Sequence, residues 1–266
     1  MTTVLAARGV SVSFGGVRAL VGVDLDVNPG ELVGLIGPNG AGKTTFIDAI
    51  SGFVPHEGSV ALDGRDITGA SPTARARMGL TRTWQAVELF DDLTVHENLT
   101  VAARHPSAMT TLKELFTTSR PRSQAIDDAL EGFGLADLAD TTPSDLTQGQ
   151  RKLVAVARAV VARPKLLCLD EPAAGLDEQE SAAFGNHLRR IVDGGTPALL
   201  IDHDMGLVLG ICDRVVVLEF GKVIATGTPS EVRADPQVVS AYLGSAAGGL
   251  DTDLAPERIG EAMGDE

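Results

Sequence analysis

The run Gly37-Pro38-Asn39-Gly40-Ala41-Gly42-Lys43-Thr44 has the residue types and spacing to hold a phosphate. It fits the pattern G-x-x-x-x-G-K-[ST]. Glycines there let backbone N–H groups turn toward one anion, and a helix starting at the loop's end adds partial positive charge. Lys43 can reach β- and γ-phosphates, and the Thr44 hydroxyl can ligate Mg2+. A second group stands far along the chain, where the apolar run Leu166-Leu167-Cys168-Leu169 ends in Asp170-Glu171. Carboxylates at the C-terminal end of such a strand face the crevice where α/β proteins bind ligands. Asp170 can support Mg2+, directly or through water. Glu171 can orient or deprotonate an attacking water. In one domain, the two groups point to hydrolysis of a phosphate ester or anhydride.

Positioning these residues takes a strand, a loop and a helix in succession, and the pattern supplies them. Leu32-Val33-Gly34-Leu35-Ile36 reads as a buried parallel strand, and Thr45 to Ser51 continues as a helix until Gly52. Residues 4–36 read as strands joined by turns at Gly15-Gly16 and Asn28-Pro29-Gly30. A hairpin is expected over Val60 to Ile67, turning at Asp63-Gly64. Val95 to Asp140 is helical in pattern, with Thr94 as N-cap and Pro121 and Pro143 as punctuation. Leu146 to Arg163 reads as one long helix stopped by Pro164, and Glu178 to Val192 as another. Ala198 to Ile201 is a further buried strand, ending in Asp202-His203-Asp204. Val215 to Leu218 and Val223 to Ala225 flank Gly221, and Thr228-Pro229-Ser230-Glu231 is a helix start. Strands alternating with helices imply an α/β fold with a mostly parallel sheet. The helical stretch at 95–163 reads as an insertion between its strands.

Composition narrows the class. The chain has 266 residues, enough for one sizeable domain with a subdomain, and a formal net charge of −14, which argues against a general nucleic-acid binder. No apolar run approaches the ~18 residues that a membrane span needs. The start, Met1-Thr2-Thr3-Val4, lacks the basic and apolar regions of a signal peptide. With Cys168 and Cys212 as the only cysteines, a disulfide framework is not expected and a reducing cytosol fits. Residues 245–266 read as an acidic, mobile tail, with six carboxylates against Arg258.

The order and spacing of these motifs resemble the ATP-binding subunits of ABC transporters, from Val4 to about Gly244. Gly37 to Thr44, with Thr45 following, matches the Walker A motif. Leu166 to Asp170 matches Walker B, and Glu171 its catalytic glutamate. Gln85, in Thr83-Trp84-Gln85, matches the Q-loop glutamine, and Ala174-Gly175-Leu176-Asp177 the D-loop. His203 matches the switch histidine, and Phe14 the aromatic that stacks on adenine. Read alone, Phe14 could equally close a strand end in the core, Gln85 could serve loop backbone groups, and His203 could be a turn residue. Leu146-Thr147-Gln148-Gly149-Gln150 stands where the family has Leu-Ser-Gly-Gly-Gln. Thr147 keeps a hydroxyl, Gln148 replaces the first glycine, and Thr147 with Gln150 also makes a capping box.

The resemblance implies a P-loop NTPase core with an N-terminal antiparallel β subdomain and a helical subdomain inserted at about 86–163, all within an ATP-binding domain over residues 1–244. It implies ATP and Mg2+ as ligands, with Thr44, Gln85 and Asp170 toward the metal and His203 toward the γ-phosphate. A second ATP-binding subunit, the same or homologous, would supply Thr147 and Gly149 to each site, and Gln150 and Asp177 are further nucleotide-binding candidates. The segments Gly79 to Asn98, Glu171 to Leu176 and His203 to Arg214 are similar to ATPases of branched-chain amino acid uptake systems. That likeness implies import of such solutes through membrane permease subunits, docked near Val87 to Val95 with Phe90 exposed. It also implies an external solute-binding protein, and a cytoplasmic chain peripheral on the inner face of the cell membrane. The alternatives are an ATPase of a lipid or lipopolysaccharide exporter and a soluble regulatory ABC ATPase.

Overall fold

The computed structural model describes residues 3–84, 88–103 and 124–246. Gln85, Val87, Pro121 and most of the acidic tail lie outside them. A six-stranded sheet carries the expected phosphate loop. Its order is β10-β9-β3-β8-β7-β6, built from β3 (Leu32–Ile36), β6 (Leu80–Arg82), β7 (Leu166–Asp170), β8 (Ala198–Ile201), β9 (Arg214–Glu219) and β10 (Lys222–Gly227). All pairs are parallel except the β9–β10 hairpin. The N-terminal strands form a separate antiparallel sheet of order β2-β1-β4-β5: β1 (Leu5–Phe14), β2 (Val17–Val27), β4 (Glu57–Leu62) and β5 (Arg65–Asp66).

The central strands are continuous apolar runs because both faces are covered. Along β7, Leu167 and Leu169 pack with the helices on one face, while Leu166 and Cys168 pack toward the antiparallel sheet. β3 and β8 divide in the same way. Cys168 is fully buried in that second core, and burial pushes its thiol up to about 12, so it is inert packing. Between the two sheets lies α1 (Lys43–Ser51), whose Phe46, Ile47 and Ile50 are buried.

α1 ends on a feature that no local pattern announces. Arg75, on α2 (Pro72–Arg77), is buried and donates to the carbonyls of Ala49 (2.8 Å) and Ile50 (2.7 Å). It also donates to Thr68 O and Ala70 O. The guanidinium thereby bonds carbonyls of the last turn, Ile50 O among them, that lack an onward helical N–H. Burial pushes the Arg75 pKa down, opposed by the Asp66 charge.

The opposite face holds α3 (Val95–Ala103), α4 (Gln124–Gly132), α5 (Gln148–Val161), α6 (Glu178–Asp193), α7 (Met205–Ile211), α8 (Pro229–Ala234) and α9 (Pro236–Ala246). Among the described residues, the helical pattern read over 95–140 includes α3, α4 and a 3-10 turn at Ala136–Leu138. α4 stops where Leu135 N–H turns back to Leu130 O (2.7 Å). α5 starts two residues later than expected, because Thr147 is its cap rather than part of it. β6 and α7 had no signal of their own. Three residues are too few to show alternation, and α7 is seven residues long, capped where the Asp204 side chain accepts from Leu207 N–H (3.0 Å).

Candidate active site

β3 runs straight into the phosphate loop. Gly37 has φ 150°, and a Cβ there would lie 2.1 Å from Leu218 O on β9. Gly42, with φ 105°, is the N-cap of α1 and lies against Ala19 O. It carries no side chain to cap the helix, so the first N–H groups of α1 are left for a ligand. Lys43 is buried, and its Nζ donates to Gly37 O (2.6 Å) and Pro38 O (3.1 Å), curling back over the loop. Burial pushes its pKa down, while the nearby Glu171 and Asp170 charges pull it back up. The two expected groups, far apart in sequence, thus share one electrostatic neighbourhood.

β7 delivers the carboxylates. Asp170 is buried at its last position, paired across the sheet with Ile201. Glu171 follows with φ 46°, a left-handed backbone that costs a non-glycine residue about 1 kcal/mol or more. Its N–H donates to Ile201 O (2.7 Å), which keeps the turn tied to β8. His203 leaves the end of β8, and its Nδ1 lies 3.8 Å from Glu171 Oε2 and 3.6 Å from Asp202 Oδ1. The imidazole is otherwise open to solvent. A carboxylate and an imidazole therefore stand side by side, next to a lysine-bearing anion loop.

Several supporting residues were not legible beforehand. Asp202 is buried and accepts from Ala173 N–H (3.2 Å) and Asp204 N–H (3.0 Å), joining the segment after Glu171 to the turn of His203. Burial pushes its carboxyl pKa up, and those backbone bonds oppose the shift. Lys152 on α5 is buried, and its Nζ donates to Pro172 O (2.9 Å). Desolvation lowers its pKa, while Asp202 and Glu171 raise it. Tyr242 on α9 takes a hydrogen bond from the Gly37 backbone, while burial pushes its phenol up. The only local signals were a charge on an apolar helix face and an acid before a histidine. Neither says what it touches.

Phe14 ends β1 half-exposed (51%), so it is not a core aromatic. Thr147 and Gln150 form a reciprocal cap on α5: Gln150 N–H donates to Thr147 Oγ1 (3.2 Å) and Thr147 N–H to Gln150 Oε1 (2.9 Å). Asp177 and Glu180 do the same on α6. The Gln148 amide lies against Gly175, and Gly149 against Glu180. Thr147, Gly149, Gln150 and Asp177 therefore make one cluster at two helix N-termini. Among the described residues, no hydrogen bond from it reaches the phosphate loop. Phe90 is half-exposed, its N–H and O clamped by buried Asn98, with the Arg158 guanidinium 5.6 Å from its ring centre. Gln85 lies outside the described residues.

A strand–loop–helix anion site beside a strand-end carboxylate pair defines a P-loop nucleotide hydrolase. The ABC transporter family matches residues 20–174, more than half of the chain, and the chain belongs to that family as an ATP-hydrolysing subunit. A branched-chain amino acid ATP-binding cassette transporter segment matches residues 222–248. The high-affinity branched-chain amino acid transport ATP-binding protein LivG of Salmonella typhimurium is 41% identical over 250 residues, covering 91% of this chain and 98% of its own. The lipopolysaccharide export system ATP-binding protein LptB of Haemophilus influenzae is 35% identical over 243 residues, with the same coverages. The solved ADP conformation of MJ1267, an ATP-binding cassette of an ABC transporter, is 31% identical with a TM-score of 0.77, covering 92% of this chain and 100% of that one.

Proposed function

We propose that this chain powers uptake of branched-chain amino acids or related small polar solutes through separate membrane permease subunits. The observation that carries its chemistry is the pairing of Glu171, held at positive φ, with His203 Nδ1 at 3.8 Å. Beside them stands Lys43, whose charge both Asp170 and Glu171 influence. Lys43 and the α1 N–H groups bind the β- and γ-phosphates of ATP. Phe14 offers an exposed ring for the adenine. Glu171 accepts a proton from the attacking water, and His203 orients that water against the γ-phosphate. The Thr44 hydroxyl and the Asp170 carboxylate are hard oxygen donors suited to Mg2+, with phosphate and water oxygens filling the shell; Gln85 is proposed as a third protein ligand. Bound there, the metal would neutralise charge on the transferring phosphate.

The helix-end cluster of Thr147, Gly149, Gln150 and Asp177 serves the γ-phosphate of a second ATP-binding subunit, the same or homologous. The cap takes the Gln150 N–H, and among the described residues the Gln148 and Gly149 N–H groups at that helix start have no acceptor, which supports that reading. Among the described residues, no helix is long and apolar enough to cross a membrane. The chain works as a peripheral subunit on the cytoplasmic face, contacting the permease around Phe90, with an external binding protein delivering the solute. The 222–248 match and the LivG likeness favour amino-acid import over lipopolysaccharide export. Amino-acid uptake by vesicles carrying the co-purified permease is the deciding assay for the solute. Glu171→Gln tests the chemistry. It should retain ATP binding, lose about 10²–10⁴-fold in turnover, and accumulate an ATP-bound dimer on size-exclusion chromatography. Near-normal turnover would remove Glu171 from this role.

A further inference from the structure

Asp170 does not stand alone at the end of β7. Arg82, the last residue of neighbouring β6, donates from one terminal nitrogen to Asp170 Oδ2 (2.7 Å). Its other terminal nitrogen pairs with Asp48 Oδ1 on α1. The Arg82 side chain is 6% exposed and that of Asp170 9%. A guanidinium whose two terminal nitrogens each grip a different carboxylate spans α1 and β7 with a planar, fixed geometry that an ammonium lacks. Trp84 covers the guanidinium, with 4.2 Å from the Arg82 Cζ to the ring centre, and Phe53 meets Trp84 edge-on at 5.1 Å. The stack lies directly after α1 on one side and directly after β6 on the other. Among the described residues, no hydrogen bond reaches Asp170 Oδ1. One carboxylate oxygen is thus taken by Arg82, and the other accepts no hydrogen bond among the described residues.

We propose that Arg82 is a positioning residue for the metal site: it fixes the Asp170 carboxylate so that Oδ1 alone is presented to Mg2+, and it ties that orientation to α1 through Asp48. This rests on the assignment of Asp170 to the metal made above. Two opposite effects can be separated by substitution. Were Arg82 only a positive charge opposing the metal, Arg82→Met would strengthen the metal's contribution and Arg82→Lys would resemble wild type. Acting as a rigid fork, it cannot be replaced by lysine, and both variants weaken that contribution.

The measurement is the affinity of the full chain for a fluorescent, non-hydrolysable ATP analogue, with Mg2+ and with EDTA. The gain in affinity produced by Mg2+ should fall by about 10–100-fold in both Arg82→Met and Arg82→Lys, with the EDTA value unchanged. Asp48→Asn, which frees the far fork, should shift the gain in the same direction by less, and serves alone where the Arg82 variants do not fold. An unchanged or increased Mg2+ gain in these variants overturns the proposal, as does an equal loss with and without the metal. Asp170→Asn separates the two layers. If it leaves the Mg2+ gain intact, the metal assignment itself fails. If it abolishes the gain while Arg82→Met does not, only the role of Arg82 fails.

Discussion

Glu171 concentrates the residue-scale argument. A left-handed glutamate is unfavourable by itself, and here the bond from its N–H to Ile201 O holds it against His203. Local strain that persists because neighbours impose it is common where a side chain must be aimed. Lys43 shows the complementary case. Its ammonium is desolvated and donates to two loop carbonyls, and burial lowers its pKa while two acids nearby oppose the shift. Phosphate oxygens are better partners for that ammonium than peptide carbonyls. Lys43→Ala should therefore lower ATP affinity by about 10–100-fold, the loss of a charge-assisted bond. Equilibrium binding measures this, and unchanged affinity and turnover would take the loop out of the mechanism. Both residues were legible in sequence because their chemistry sits in contiguous motifs. Arg82, Lys152 and Asp202 were not, because each acts on a residue that only folding brings near.

At the scale of elements, helix ends do most of the work. α1 begins without a side-chain cap and ends on the Arg75 fork, so one end is left for a ligand and the other is closed internally. α5 and α6 instead begin with complete capping boxes, side by side. Thr147 thus carries a structural bond as well as its proposed role toward a neighbouring subunit. Removing the hydroxyl separates the two. Thr147→Ala should cost about 1 kcal/mol of stability, read from the denaturant midpoint, while Thr147→Ser should restore it and keep turnover. If the alanine variant hydrolyses ATP at the wild-type rate despite the stability loss, the residue is a cap and nothing more. The capping boxes at Thr147 and Thr228 were readable because a cap is a four-residue event. The start of β6 was not, since a three-residue strand is defined by its parallel pairing with β7 alone.

On the scale of the whole molecule, the candidate residues fall into two separate groups, which the proposed reading takes as two half-sites. One combines the phosphate loop with Asp170, Glu171 and His203, and the other is the helix-end cluster around Gly149. No hydrogen bond joins them among the described residues, so a single chain presents an incomplete charge-stabilising shell on the proposed reading. Specific ATPase activity should then rise with protein concentration and fall on dilution. A rate per chain that stays constant over a hundredfold dilution, with the protein monomeric throughout, would reject the two-subunit site. C-terminal α9 is joined to the same centre, since Tyr242 takes the Gly37 N–H while belonging to the segment matched over 222–248.

Sequence alone determined the anion loop, the strand-end acids, the capped helices and the α/β class, all of which are encoded within a few consecutive residues. Only the tertiary structure decided that Phe14 is presented rather than packed, that Arg82 grips Asp170, and that Lys152 reaches Pro172. Such contacts join residues many positions apart, and burial and charge pairing over that separation exist only once the sheet order is set.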